Sequence, residues 1–180
     1  SVEVPCSPQS NGCMVQNPSF ENVLITLSTT VENQISTTNV PGWVPLWSSP
    51  DVCPSPTNFA GTQNAFDGNI YAGISSGHPW GVFDTEVLGG NLTSNTVTGN
   101  WYNVHARFSQ AELRTPPGVW MEIYLRNSST IFDISDALTW GQRVGGLLVN
   151  DFNNWQLFSA NILANDNYDQ IMIKGDAIAT

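Results

Sequence analysis

Two stretches of the chain alternate strictly between two kinds of side chain. Over residues 100–110, Tyr102, Val104, Ala106 and Phe108 share one phase, and Trp101, Asn103, His105, Arg107 and Ser109 share the other. Over residues 119–126, Val119, Met121, Ile123 and Leu125 alternate with Trp120, Glu122, Tyr124 and Arg126. A period of two is the signature of a strand with one face buried. Further strand-like runs lie at 69–74, 144–150, 155–163 and 170–178. Turn signals separate them: Asp67-Gly68, Pro116-Pro117-Gly118, Asn153-Asn154 and Asn165-Asp166-Asn167. Only 109–113 and 134–138 allow a helical turn. The pattern predicts an all-β chain, folded as a two-sheet antiparallel β-sandwich. Residues 1–16 read as a Pro/Cys-rich leader and 17–180 as a single sandwich domain. Within it, 23–40 reads as a long loop, and 41–65 as irregular connection because Pro and Gly recur there.

The charge balance narrows the partners. Five Lys and Arg stand against fifteen Asp and Glu, for a net charge of −10. So acidic a surface repels phosphate backbones and anionic lipid, which argues against nucleic acid and membrane surfaces as partners. Charged residues make up only 11% of the chain, so the polar surface is mostly Asn, Ser, Thr and Gly. That neutral surface suits an extracellular protein handling neutral ligands. No apolar run is long enough to span a bilayer. The first residues lack a basic stretch followed by an apolar one and read as a mature end after signal removal, so a secreted or cell-surface location is expected. Cys6 and Cys13 bracket a short loop containing Pro and Gly, whose ends could meet in a disulfide. Cys53 is then left over, either buried and inert or paired with one of the others or with another chain.

Two pieces of chemistry suggest themselves. Glu21 and Asp176 lie at the edges of strand-like runs near the two ends of the chain. If the first and last strands lie side by side, these carboxylates meet where few cations are available. A calcium ion, which takes six to eight oxygen ligands, would then suit them, with carbonyls from the Asp67-Gly68-Asn69 turn. The plainer alternative is two separate, solvated acids. The second piece is a sugar-binding face. Trp101 lies in phase with His105 and Arg107, and Trp120 with Glu122 and Tyr124. On two neighbouring strands these make aromatic-polar stripes suited to the apolar faces and hydroxyls of a glycan. Trp47 and Trp80, in Pro/Gly-flanked loops, read either as plugs over the core or as loop platforms. No nucleophile, zinc or phosphate-loop pattern occurs and no carboxylate pair stands out, so no enzyme activity and no catalytic residue are expected.

The order of motifs resembles a known family. Asn17-Pro18-Ser19-Phe20-Glu21, Val40-Pro41-Gly42-Trp43, Ser49-Pro50-Asp51, Asp67-Gly68-Asn69-Ile70, Gly99-Asn100-Trp101-Tyr102 and the closing 168–178 are similar in order and spacing to galactose-binding-like jelly-roll domains. The likeness is to family 4 and family 22 carbohydrate-binding modules, in versions found in secreted and surface proteins of Bacteroidetes-type bacteria. It implies a structural calcium held by Ser19, Glu21, Asn69 and Asp176, and a role as a non-catalytic glycan-binding module. An alternative use of the same fold is a structural or adhesive surface subunit that contacts other proteins or itself. The end of the chain departs from the pattern: Gly175-Asp176-Ala177-Ile178 keeps one acid with a different neighbour.

Overall fold

The computed structural model describes residues 2–3, 13–28, 34–55, 64–78, 81–110 and 118–177, with 2–3, 76–78, 81–84 and 177 described by their backbone alone. Its strands are β1 (Val2–Glu3), β2 (Trp43–Trp47), β3 (Asp51–Pro54), β4 (Ile70–Gly73), β5 (Ser76–His78), β6 (Gly81–Thr85), β7 (Val87–Asn91), β8 (Trp101–Phe108), β9 (Val119–Arg126), β10 (Gln142–Val149), β11 (Gln156–Leu163) and β12 (Gln170–Ala177). They form two five-stranded antiparallel sheets, ordered β11-β8-β1-β4-β3 and β10-β9-β12-β7-β2, with β5 and β6 as a separate hairpin. The chain crosses between the sheets repeatedly, at β2 to β3, β7 to β8, β8 to β9, β10 to β11 and β11 to β12. This is the predicted two-sheet antiparallel sandwich.

The core lies between the sheets, where the apolar phase of each alternating strand points. Val104, Ala106 and Phe108 from β8 meet Met121 and Ile123 from β9, Ile171 and Ile173 from β12 and Phe158 from β11. The other phase points outward from each sheet, so the sandwich has two separate outer faces. One short helical element occurs among the described residues, a 3-10 turn at Ala137–Thr139 capped by the Asp136 side chain. The other candidate helical turn, 109–113, runs into residues outside the description.

Two readings of the sequence need correction. The 41–65 stretch is not all irregular, because β2 and β3 fall inside it. Both are edge strands, where a proline need not donate to a neighbour, so Pro45 and Pro54 are tolerated. The segment before residue 17 is also not wholly outside the sandwich. Val2 and Glu3 pair with β8, and Val2 also with β4, so they bridge the two halves of the first sheet.

One end of the core is closed by the Asn17–Glu21 segment. Phe20 is fully buried and stacks on Trp43 with ring centroids 4.4 Å apart. The Trp43 indole donates to the Asn17 carbonyl at 2.8 Å. Asn17 holds the turn from within: its amide nitrogen donates to the carbonyls of Asn22 and Pro41, and its side-chain oxygen accepts from the Asn22 N–H. The Trp43 ring lies against β7, where a Cβ on Gly90 would come within 2.6 Å of it. Trp43→Ala should therefore lower unfolding stability by about 3–5 kcal/mol, the usual range for emptying a large buried aromatic. The measurement is a urea titration, and a shift of the midpoint worth under about 1 kcal/mol would show that this end of the core collapses onto the gap.

Candidate functional site

The two predicted stripes exist, but on different faces. β8 belongs to the first sheet and β9 to the second, so Trp101, His105 and Arg107 lie on one side of the sandwich and Trp120, Glu122 and Tyr124 on the other. The expectation that they line one concave surface is corrected. Periodicity locates a side chain on a face of its strand. It does not reveal that β8 and β9 belong to different sheets.

The outer face of the second sheet is largely closed. The 127–141 excursion folds over it, bringing Trp140 edge-on to Tyr124 at 5.7 Å and Phe132 over the Arg126 guanidinium at 5.8 Å. Tyr124 keeps only 6% of its surface and Trp120 38%. The Glu122 carboxylate accepts from Arg143 Nε at 2.7 Å and from the Tyr124 hydroxyl at 2.9 Å. Lys174, cross-strand from Glu122, pairs with Asp176 and lies 4.7 Å from the Trp140 ring centroid. Arg126 is buried and donates to Gln170 Oε1 and the Thr130 carbonyl. Burial pulls its guanidinium below the usual value, against the opposing effect of the Asp169 charge. Burial also raises the Glu122 pKa, but the Arg143 and Tyr124 hydrogen bonds and the nearby Arg143 and Lys174 charges outweigh it, so the carboxyl sits below its ordinary value. Arg143, Trp140 and Lys174 complete this cluster, and no local pattern in the sequence marks them.

The outer face of the first sheet is open where β8 and β11 pair. Trp101 is 69% exposed and stands cross-strand from Leu163. Asn103 pairs with Asn161, His105 with Ser159, and Arg107 with Leu157, in unbroken register. The middle of the face is thus neutral and polar, with an apolar group at each end. At the far end Arg107 lies 3.9 Å above the Phe66 ring, and Trp155 meets Phe66 and Tyr71 edge-on at 6.5 and 6.1 Å. β11 contributes Leu157, Ser159, Asn161 and Leu163 to the face. Their shared phase within 155–163 is the signal that could have found them.

The four residues expected around calcium do not come together as one oxygen shell. Glu21 and Asn69 do meet, but as acceptor and donor: Glu21 Oε1 accepts the N–H groups of Asn69 and Ile70 at 2.7 and 2.8 Å. The Asn69 carbonyl is taken by the Ser55 N–H at 2.7 Å. Gly68 makes this bracket possible, with φ +71° and a position where a Cβ would lie 2.3 Å from the Glu21 carboxylate. Asp176 is on the second sheet, cross-strand from Trp120, with both oxygens on Lys174. Ser19 lies in the turn before Phe20. Among the described residues, no group of three or more acids, histidines or cysteines is placed to hold a metal.

Cys53 is a free thiol, 3% exposed. Burial and then the Asp51 charge push its pKa up to about 12, which leaves it protonated and unreactive. Cys6 lies outside the described residues, and with it the expected Cys6–Cys13 bridge. Trp47 packs against Val87, Tyr124 and Met172 as a plug, while Trp80 lies outside the description. No helix of the described residues is long and apolar enough to cross a membrane. No protein-family model and no curated protein matches the chain. The likeness to carbohydrate-binding modules therefore rests on the order of sequence motifs.

Two predictions follow from these geometries. Glu122 has a depressed pKa in the folded state, so its contribution is complete above the unfolded value of about 4.3 and fades as pH falls through the folded value. Arg143 is half exposed, with 49% of its side chain accessible, so the effect is modest. Glu122→Gln should lower Tm by roughly 2–4 °C at neutral pH, and the gap to wild type should close between about pH 5 and 3. A gap independent of pH would remove the charge from the explanation. For the Glu21 bracket, Glu21→Ala should cost about 1–3 kcal/mol, because two backbone N–H groups lose a charged acceptor. Thermal melts should give the same loss with and without EDTA. A loss that disappears in EDTA would show that Glu21 acts through a bound calcium instead of through the two N–H groups.

Proposed function

We propose that this chain is an extracellular, non-catalytic carbohydrate-binding module that takes a neutral glycan on the outer face of β8 and β11. The observation that carries the reading is Trp101: a tryptophan 69% exposed in the first position of a long, regularly paired strand, beside a row of amide and hydroxyl side chains. An indole held on a strand offers a flat apolar platform at little conformational cost, and the C–H face of a sugar ring packs on such a surface. Asn103, Asn161 and Ser159 supply donors and acceptors for sugar hydroxyls. Trp101 to Arg107 spans about 20 Å at the rise of a β-strand, room for several sugar units in a row.

Charge supports a neutral ligand. Trp101, Asn103, His105, Arg107, Leu157, Ser159, Asn161 and Leu163, the outward-pointing side chains of β8 and β11, include no carboxylate. A hydrolase needs two carboxyl groups flanking the scissile bond, so this face suits binding without cleavage. Calcium is not part of the proposed binding surface.

Affinity electrophoresis and calorimetry against a panel of neutral polysaccharides test the proposal. Trp101→Ala should weaken binding at least about tenfold, or roughly 1.4 kcal/mol, while Trp120→Ala, on the opposite side, should change it by less than about twofold. Equal losses from both substitutions, or no binding by the wild type to any member of the panel, would overturn the reading.

A further inference from the structure

We propose that β11 is a self-pairing edge, through which two copies of this chain join their first sheets into one continuous sheet. Among the described residues the sandwich has four edge strands, β11 and β3 in the first sheet and β10 and β2 in the second. Three of them carry features that discourage strand addition. β2 contains Pro45, with a register shift beside it. β3 is four residues long and ends on Pro54. β10 has a register shift between Arg143 and Gly145 and carries the Arg143 charge. β11 has none of these. It is eight residues long, contains no Pro, Gly or charged residue, and pairs with β8 without a break.

The direction of its backbone groups follows from the next residue along. Ala164 donates to the Asn100 carbonyl at 3.0 Å and accepts from the Gly99 N–H at 2.8 Å, so its polar groups face the β8 side. By the alternation of an antiparallel strand, the N–H and C=O groups of Leu157, Ser159, Asn161 and Leu163 face the open edge. Gln142 Nε2 takes the Leu163 carbonyl at 2.8 Å and closes that end of the edge. Between Leu157 and Asn161, no strand among the described residues pairs with β11 on this side.

The occupant is a second copy because the strand complements itself. Two antiparallel copies of β11 related by a two-fold axis must pair residues of the same face. In the register centred on Ala160, Ser159 faces the partner's Asn161, Leu157 faces the partner's Leu163, and Phe158 faces the partner's Ile162. Apolar residues then meet apolar residues on both faces, and the polar pair meets in the middle. Ser159 and the partner's Asn161 point their free backbone groups at each other and can exchange both N–H···O bonds. A chain of net charge −10 repels its own copy, and an uncharged strand is where two such chains can approach at least cost. The symmetry is that of an isologous dimer. This inference does not depend on glycan binding.

Sedimentation velocity on the full chain tests it, from micromolar to near-millimolar protein, at about 0.3 M NaCl to screen the repulsion between copies. A monomer–dimer equilibrium is expected. Ser159→Pro removes an edge-facing N–H and no bond to β8, so it should preserve the circular dichroism of the fold and raise the dimer dissociation constant at least about tenfold. Should that variant misfold, Ser159→Asp with Asn161→Asp places carboxylates opposite one another in both pairs and should have the same effect. Register is read by oxidation. Ala160→Cys should give a covalent dimer on non-reducing gels, because the two-fold axis brings residue 160 of each copy together, and Leu157→Cys should not. A wild type that stays monomeric at the highest concentration, a Ser159→Pro or double-Asp variant that folds and dimerises like the wild type, or equal cross-linking by the two cysteine variants would overturn the proposal.

Discussion

The stack of Phe20 on Trp43 is the contact on which this fold most depends. It ties a non-strand segment near the start of the chain to β2, at the edge of the second sheet, and both rings are removed from water. Its requirements reach in three directions. Asn17, at φ 47°, must fold the chain back so that its carbonyl meets the indole N–H. Gly90 must leave the β7 backbone bare so that the ring can lie on it. The chain beyond Phe20 then leaves at the angle that delivers Glu21 to the Gly68 turn. The short Asn-Pro-Ser-Phe-Glu motif thus closes one end of the core and fixes where β4 begins.

The second organising constraint is the scarcity of positive charge. Of the five basic residues, Arg107, Arg126, Arg143 and Lys174 are described, and three of these four sit on the outer face of the second sheet. There they pair with Glu122 and Asp176 or with neutral acceptors, beneath the aromatic cover of Phe132 and Trp140. Buried or half-buried ions need such partners, because the cost of removing them from water is several kcal/mol per ion. With three of its four described cations and an excursion of chain committed to one face, the molecule leaves the opposite face without a carboxylate on β8 and β11, with Arg107 at one end and Trp101 open at the other. The proposed glycan surface and the proposed self-pairing edge both lie on that side, one on the face of β11 and the other along its rim.

Much of this was legible in the chain itself. The alternation in 100–110 and 119–126 located β8 and β9 and named which residues would enter the core, because burial on one face of a strand imposes a period of two. Phe20 and Glu21 were recognisable as a motif, and the meeting of Glu21 with Asn69 was anticipated, although the bond proved to be carboxylate to N–H. Three features were less accessible. β2 was hidden by its proline, which only its position at a sheet edge makes acceptable. β7 was hidden by Gly89 and Gly90, which look like a turn until the Trp43 ring and the Gln170 side chain are seen resting on them. The separation of Trp101 from Trp120 was hidden because local pattern carries no information about which sheet a strand joins.

By itself, then, the sequence determined the fold class, the two faces of each long strand and which of those faces would turn to the core, since these follow from short-range periodicity and the need to hide apolar surface. Tertiary structure alone decided which polar residues became neighbours. It gave Asp176 to Lys174 instead of to Glu21, covered Tyr124 with Trp140, and left Trp101 uncovered beside an uncharged edge. Such pairings depend on the crossings of the chain between two sheets, and a crossing is set by the packing of the whole sandwich, which no single segment encodes.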